Sequence, residues 1–383
     1  MKIALLASGS SIHAIRWANG LQTAGAEVHL VTQHPLLEPL DPGVRVHSFP
    51  FRGVAGYFLM APGVRRLLAD IRPDVVNAHY ASGYGTTARL VNHSPWLLSI
   101  WGSDVYDFPY KSPLHRWLVT GNLRAATRVA STSHCMASQA RRMAPDLGEI
   151  EITPFGVDFS AFQDRGARLS DDERPDRALV IGTVKTLSPK YGIDTLISAY
   201  AIVRRRATEL DSALARSLRL RIVGGGPQLA ELQILARSLD LGDDVTFVGR
   251  VNHGEVPTEL GRMDVFVALS RLDSESFGVA AIEAGAASLP VVVSDAGGLP
   301  EVVVHGQTGI VVPREDPEAA ADAIMKLVID PAIRRTMGAA GWNHVQTHYA
   351  WPECVETMLN ALRRTIDPTP PAGPDAVRAG HRR

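Results

Sequence analysis

Short β-branched, apolar runs alternate with helical patterns along nearly the whole chain, and that alternation admits few architectures. Residues 2–7 read as strand, 12–23 as helix and 27–32 as strand. Runs at 44–49, 74–78, 96–101, 128–132 and 150–153 continue the strand series, with helical stretches such as 56–71 between several of them. Strands separated by helices in this way form a parallel, doubly wound α/β sheet. The polar, charge-rich and aperiodic segment 159–176 then interrupts the pattern as a domain linker would. After it the pattern restarts, with strands expected at 178–183, 219–223, 245–248, 264–269, 291–294 and 309–312 and helices at 193–208, 228–239 and 277–287.

Two Rossmann-like units in one chain place a cleft between them. Beyond Pro313 the chain turns helical at 317–328, 332–349 and 352–365, the last of these expected to return to the first domain. The expected division is residues 1–165, a second domain over 166–350, a returning helix over 351–366, and a disordered tail over 367–383, rich in Pro, Gly, Ala and Arg.

Composition narrows the class. With 383 residues, 45% hydrophobic and 21% charged, the chain reads as an ordinary soluble globular protein. Cys135 and Cys354 fit neither a metal spacing nor a disulfide framework, which suggests a reducing compartment. The apolar run at 3–7 is too short for a signal peptide, and no stretch approaches the roughly 20 apolar residues of a membrane span. The expected location is the cytoplasm, with peripheral contact at the inner face of the membrane left open. Residues 1–150 carry 14 Lys and Arg against 9 Asp and Glu, so a charge of +5 sits in the first half of a chain whose net charge is −1. Two readings follow: scattered solvated arginines, or a domain that meets anionic lipid or a phosphate-bearing acceptor. A nucleic-acid partner is not expected.

One segment carries most of the chemistry. In Ser270-Arg-Leu-Asp-Ser-Glu275-Ser-Phe277-Gly278-Val-Ala-Ala-Ile-Glu283, a carboxylate precedes the start of a helix pattern and a second lies inside it. The free N–H groups at a helix N-terminus suit a phosphate. Glu283 stands among alanines, valine and isoleucine, so its charge needs a polar partner, for which a ribose diol would serve.

With Gly182-Thr-Val-Lys185-Thr-Leu-Ser-Pro-Lys190-Tyr-Gly, Val223-Gly-Gly-Gly-Pro227, Phe155-Gly-Val-Asp158, Ala296-Gly-Gly-Leu-Pro-Glu301 and His305-Gly-Gln-Thr-Gly309, this segment resembles the retaining glycosyltransferases of family 4, with the GT-B fold. The resemblance spans roughly residues 1–366 and rests on the order and spacing of the motifs together. It implies transfer of a hexose-type sugar from a nucleoside diphosphate, UDP by family frequency, to a hydroxyl of a sugar or lipid-linked sugar. Cell-surface polysaccharide or glycoconjugate synthesis is the implied pathway. The anomeric configuration is retained, with the leaving diphosphate oxygen helping to deprotonate the acceptor. The first domain is then the acceptor side and the second the donor side.

By the same resemblance, Lys185 and Lys190 neutralise the departing diphosphate and Glu275 contacts the donor sugar. Phe277 and Gly278 offer backbone donors, Glu283 binds the ribose, and Arg250 sits near the base. From the sequence itself, Gly224 and Gly225 read as a tight strand-to-helix turn that brings the chain close to the nucleotide. Gly9, where the first strand gives way to the first helix, allows backbone approach to the diphosphate or the acceptor. The nucleotide-sugar is a substrate, no cofactor is implied, and no Asp-x-Asp triplet calls for a metal. On the acceptor side His13, His79, Trp101 and Asp104 are candidates, with packing or backbone-capping roles equally open for His79 and Asp104. Many relatives read His-Gly-x-Asp where this chain has Trp101-Gly-Ser-Asp104. An indole N–H donates but accepts no proton at neutral pH. A nucleotide-sugar epimerase of the same architecture and a non-catalytic nucleotide-sugar-binding protein remain alternatives at this stage.

Overall fold

The computed structural model describes residues 1–162 and 178–367. The expected tail falls almost wholly outside that range, as do most of the expected linker and the 165/166 boundary. Contacts divide the chain into two units. The first comprises Met1–Ser131, Ala137–Thr153 and the chain from Val355; the second comprises Thr132–Met136 and Pro154–Cys354.

The first unit holds strands β1 (Lys2–Leu6), β2 (Glu27–Thr32), β3 (Arg45–Ser48), β4 (Val75–His79), β5 (Trp96–Ile100), β6 (Arg128–Ser131) and β7 (Ile150–Ile152). They form one sheet in the order β3-β2-β1-β4-β5-β6-β7, every neighbouring pair parallel. The second unit holds β8 (Leu179–Val184), β9 (Leu218–Val223), β10 (Val245–Gly249), β11 (Val265–Ala268), β12 (Val291–Ser294) and β13 (Gly309–Val312). Their order is β10-β9-β8-β11-β12-β13, again all parallel. The central strands β1, β4, β5, β11 and β12 are buried almost throughout, because helices cover both faces of a parallel sheet. Every strand read from the sequence is present to within a residue or so.

Each sheet reverses its winding once, between β1 and β4 in the first and between β8 and β11 in the second. At such a reversal the loops leaving the two strands diverge, which opens a crevice beyond their carboxyl ends. The loops that follow Val184 and Ala268 therefore face one crevice, and they carry Lys185 and Glu275.

Three local departures from the sequence reading have physical causes. The stretch 56–71 is two helices, Gly53–Leu59 and Ala61–Ile71, because Pro62 has no N–H to donate to the preceding turn. A π-helical turn, Tyr80–Tyr84, follows β4 directly, and Tyr80 enters it at φ 69°. The helix expected at 277–287 begins later, as Val279–Ala286, with Gly278 as its cap at φ 101°.

The final helix, Trp351–Ile366, belongs from Val355 onward to the first unit. Glu151, 6% exposed, anchors it there: Arg364 donates to both its carboxylate oxygens at 3.0 and 2.6 Å, and Arg128 to one at 3.2 Å. No helix among the described residues is long and apolar enough to cross a membrane.

Candidate active site

At the crevice between β8 and β11, Lys185 Nζ donates to Glu275 Oε1 at 2.9 Å, and Ser270 Oγ donates to Oε2 at 3.2 Å. Lys190 Nζ donates to the Ser274 carbonyl at 2.7 Å. The two ammonium groups and the first carboxylate, 85 to 90 positions apart in sequence, thus meet at one place. Burial opposes ionisation of Glu275, which is 7% exposed, but Lys185, Lys190 and the Ser270 hydroxyl outweigh it and hold the carboxyl below its ordinary range. A carboxylate held ionised in this way accepts hydrogen bonds and balances cations; it has no proton to give near neutrality.

The loop that carries Glu275 is held by arginines that the motif reading passed over. Arg314 donates to Asp273 Oδ1 at 2.8 Å, to Asp295 Oδ1 at 3.0 Å and to the Arg271 carbonyl at 3.1 Å. Arg271 in turn donates to Asp194 at 2.6 Å and to the Pro189 carbonyl at 3.2 Å, while its N–H reaches the Lys190 carbonyl at 2.8 Å. The Gly-Gly turn seals the same loop from the other side. Gly297, at φ 52°, lies so close that a Cβ would stand 2.2 Å from the Glu275 carbonyl oxygen. Gly298 N–H donates to that oxygen at 2.9 Å. The signal for Arg271 and Arg314 in the sequence was only their charge, since their partners lie up to 82 residues away.

Phe277 is buried, its ring edge-on to Phe155 and Tyr349 at 5.7 Å each, so its side chain is core and only its backbone is available to a ligand. Glu283 is also buried, with His253 Nε2 3.8 Å from Oε1. Arg250, one residue past β10, is exposed. Glu301 does not belong to this cluster: its carboxylate accepts from the N–H groups of His134 and Cys135 at 2.7 and 2.6 Å. The glycine run divides by role. Gly224, at φ 141°, has the Lys185 carbonyl oxygen 1.9 Å from where a Cβ would be, whereas Gly225 has no neighbour nearer than the Arg250 Cβ at 3.6 Å. Gly224 thus fits the Lys185 loop, and Gly225 alone has room on its open side.

In the first unit, the candidate acceptor-side residues gather at the carboxyl ends of β1, β4 and β5. The Trp101 ring stands 4.3 Å from that of His79, 5.2 Å from Tyr80 and 6.2 Å from His13, between centroids. Asp104 is 1% exposed, and its carboxylate accepts from the N–H groups of Ala81, Trp101 and Gly102 at 2.7, 3.1 and 2.8 Å. Of its two readings, the structure favours backbone capping. Burial pushes its carboxyl above the ordinary range although the three N–H donors oppose this. Gly9 is buried, and its N–H donates to Thr32 Oγ1 at 3.0 Å.

His79 is 1% exposed. The Asn77 amide nitrogen donates to Leu97 O and Ser99 Oγ, at 3.2 and 2.9 Å, so the Asn77 oxygen faces His79 Nε2 at 2.9 Å and fixes the Nε2–H tautomer. Burial pushes this imidazole down to about 3. In the unfolded chain it titrates near 6.5, so between the two values only the unfolded chain binds the proton. The stability His79 contributes above pH 6.5 is therefore lost as pH falls toward 3, by up to about 1.4 kcal/mol per pH unit. Thermal midpoints from pH 7 to pH 4 should fall less steeply for His79→Gln than for the parent; parallel slopes would show that the imidazole is not held neutral.

The model of the glycosyl transferases group 1 family matches residues 168–344, and that of the glycosyl transferase 4-like family matches residues 2–133. A D-inositol 3-phosphate glycosyltransferase of Actinosynnema mirum is 30% identical over an alignment covering 94% of this chain and 93% of that protein. The chain belongs to the group 1 glycosyltransferases of family 4 type. Membership makes it a transferase and sets aside the epimerase and non-catalytic readings.

Among other relatives of this glycosyltransferase, a GDP-mannose-dependent alpha-(1-6)-phosphatidylinositol monomannoside mannosyltransferase of Mycobacterium tuberculosis is 36% identical. That alignment spans 56% of each protein, so the match covers little more than half of the relative's length. Among solved structures, a sucrose-phosphate synthase of Thermosynechococcus elongatus superposes with a TM-score of 0.78 at 23% identity, covering 96% of this chain and 100% of that one. Anabaena HepE in complex with UDP and glucose superposes at 0.74 with 17% identity, covering 95% and 99%. At these identities the likeness speaks for the fold, which is GT-B.

Proposed function

We propose that this glycosyltransferase moves mannose from GDP-mannose to a hydroxyl of an inositol-phosphate type acceptor, with retention at the anomeric carbon. The observation that carries the donor half is the Lys185–Glu275 pair at 2.9 Å, with Lys190 beside it, at the carboxyl ends of β8 and β11. Two preorganised ammonium groups there stabilise the charge that develops on a departing diphosphate. The leaving phosphate oxygen takes the acceptor proton on the same face of the sugar, so no protein base is required. That suits a donor side whose carboxylate is ionised and salt-bridged. Glu275 accepts from donor-sugar hydroxyls while balancing Lys185, Glu283 accepts from the ribose, and the backbone at Gly225, Phe277 and Gly278 approaches the nucleotide.

Donor and acceptor classes follow the relatives' printed activities: one acts on D-inositol 3-phosphate, the other uses GDP-mannose on a phosphatidylinositol monomannoside. The second names GDP-mannose, which favours a guanosine donor over the UDP expected from family frequency. A panel of GDP-mannose, GDP-fucose, UDP-glucose and UDP-N-acetylglucosamine, each offered with inositol phosphate and with phosphatidylinositol, tests this. Transfer from GDP-mannose to an inositol-bearing acceptor is expected, and exclusive use of a UDP-sugar would overturn the donor assignment. With Lys185 and Lys190 carrying the charge of the diphosphate, transfer should persist in EDTA; loss that magnesium restores would refute metal independence.

The same proposal places the enzyme in the cytoplasm at the inner membrane face, in glycoconjugate synthesis. Val54, Phe58 and Leu59 are exposed on the helix Gly53–Leu59, with Arg52, Arg65 and Arg66 exposed nearby in sequence, a combination suited to an anionic lipid surface. Flotation with phosphatidylglycerol vesicles at low salt checks it, and protein left wholly at the bottom of the gradient would remove this contact.

A further inference from the structure

Between Lys185 and Lys190 stands a residue that neither the motif reading nor the family match assigns. Tyr191 ends the short 3₁₀ turn Pro189–Tyr191, and its ring centroid lies 5.1 Å from Lys185 Nζ and 5.3 Å from Lys190 Nζ. Both cations therefore share one aromatic ring. The turn beneath it is fixed: Tyr191 N–H donates to Ser188 O at 3.0 Å, and Arg271 holds the carbonyls of Pro189 and Lys190. The ring also packs on the core of the second unit, so its position does not depend on the lysines.

We propose that Tyr191 is a positioning residue that gathers Lys185 and Lys190 on its ring and presents both ammonium groups to the diphosphate of the donor. This rests on the assignment of those lysines to the leaving group. The physical reason lies in what an aromatic ring does to a cation. A carboxylate anchor, such as Glu275 for Lys185, neutralises the charge it holds and uses N–H donors to do so. An aromatic face attracts an ammonium through its quadrupole, keeps the positive charge intact and directs no N–H at an oxygen. Two like charges that must stay close until a phosphate arrives are better held by such a ring than by further acids. Each contact is worth about two- to fivefold in an equilibrium, so together they supply about tenfold.

The test is calorimetric binding of GDP, UDP and the matching nucleosides to the full chain, with donor turnover measured in parallel. Tyr191→Leu keeps the apolar contact and removes the ring. It should weaken nucleoside diphosphate binding about tenfold and lower kcat, leaving nucleoside affinity unchanged. Tyr191→Phe should stay within about twofold of the parent, and Tyr191→Met serves the same comparison as leucine if that variant does not fold. Equal losses for nucleoside and diphosphate would overturn the proposal, since they would mean general disruption of the site. So would a phenylalanine variant as weak as leucine, which would place the effect in the hydroxyl. If the parent binds diphosphate more tightly than nucleoside and Tyr191→Leu matches it, the Tyr191 inference fails alone. If the parent shows no preference for the diphosphate, the lysine assignment fails and this inference with it.

Discussion

Lys190→Ala and Glu275→Gln are each expected to lower transfer by a factor of about 10² to 10³ while the protein stays folded. The magnitude is that of removing one preorganised group aimed at charge that forms in the transition state. The two variants fail for different reasons. Lys190 is half-buried and donates to the Ser274 carbonyl, and its removal leaves the Lys185–Glu275 pair in place. Its loss falls on the leaving diphosphate. Glu275 is paired with a Lys185 side chain that is only 10% exposed, so truncation to alanine would leave an uncompensated cation and cost about 3–5 kcal/mol of stability. Glutamine keeps the shape, the Ser270 contact and an oxygen for the lysine, and isolates the effect of charge. Initial rates with purified variants, beside thermal melts, check both. Turnover equal to the parent in either variant would show that its residue is not part of the donor machinery.

Gly224→Ala and Gly225→Ala, one position apart, should behave as opposites. At Gly224 the backbone sits at φ 141° and the new methyl would lie 1.9 Å from the Lys185 carbonyl oxygen, so strain and overlap combine to destabilise the protein by roughly 2–6 kcal/mol. The nearest atom to a methyl on Gly225 is 3.6 Å away, and its φ is ordinary, so the melting temperature should hardly change. If the donor lies against that open backbone, Gly225→Ala instead raises the KM for the nucleotide-sugar by about tenfold at unchanged stability, in line with the cost of crowding a closely packed contact. A Gly225 variant with parental KM would remove this residue from the donor site. A Gly224 variant that melts like the parent would contradict the close packing of the two loops.

The fold was almost fully legible in the sequence because a parallel sheet buries its strands on both faces. The central strands then appear as short apolar runs, and no strand among the described residues needed a long-range partner to be recognised. What escaped was local backbone geometry, such as the π-turn after His79, and every interaction whose meaning depends on a distant partner. Lys185 and Glu275 were legible as motif members, yet the motif gave no hint that they form a 2.9 Å pair and so exclude a protonated Glu275. Asp104 looked as much like an acceptor-side carboxylate as a cap; three backbone amides, one of them 23 residues away, favour the cap. Gly224 and Gly225 read alike in sequence and differ only in what stands opposite them. Tyr191 was invisible, since an aromatic in a loop carries no periodic signal and its role depends on two cations meeting it.

The arginine network behind the loop that carries Glu275 bears on how inactive variants of this enzyme would be read. Arg314 grips Asp273, Asp295 and the Arg271 backbone, and Arg271 grips the turn that bears Lys190. A screen for lost activity would score these two arginines beside the lysines, although neither needs to touch the sugar. Survivors carrying second-site changes would then be expected around Asp194, Asp273 and Asp295, where a restored ion pair could reset the loop from behind.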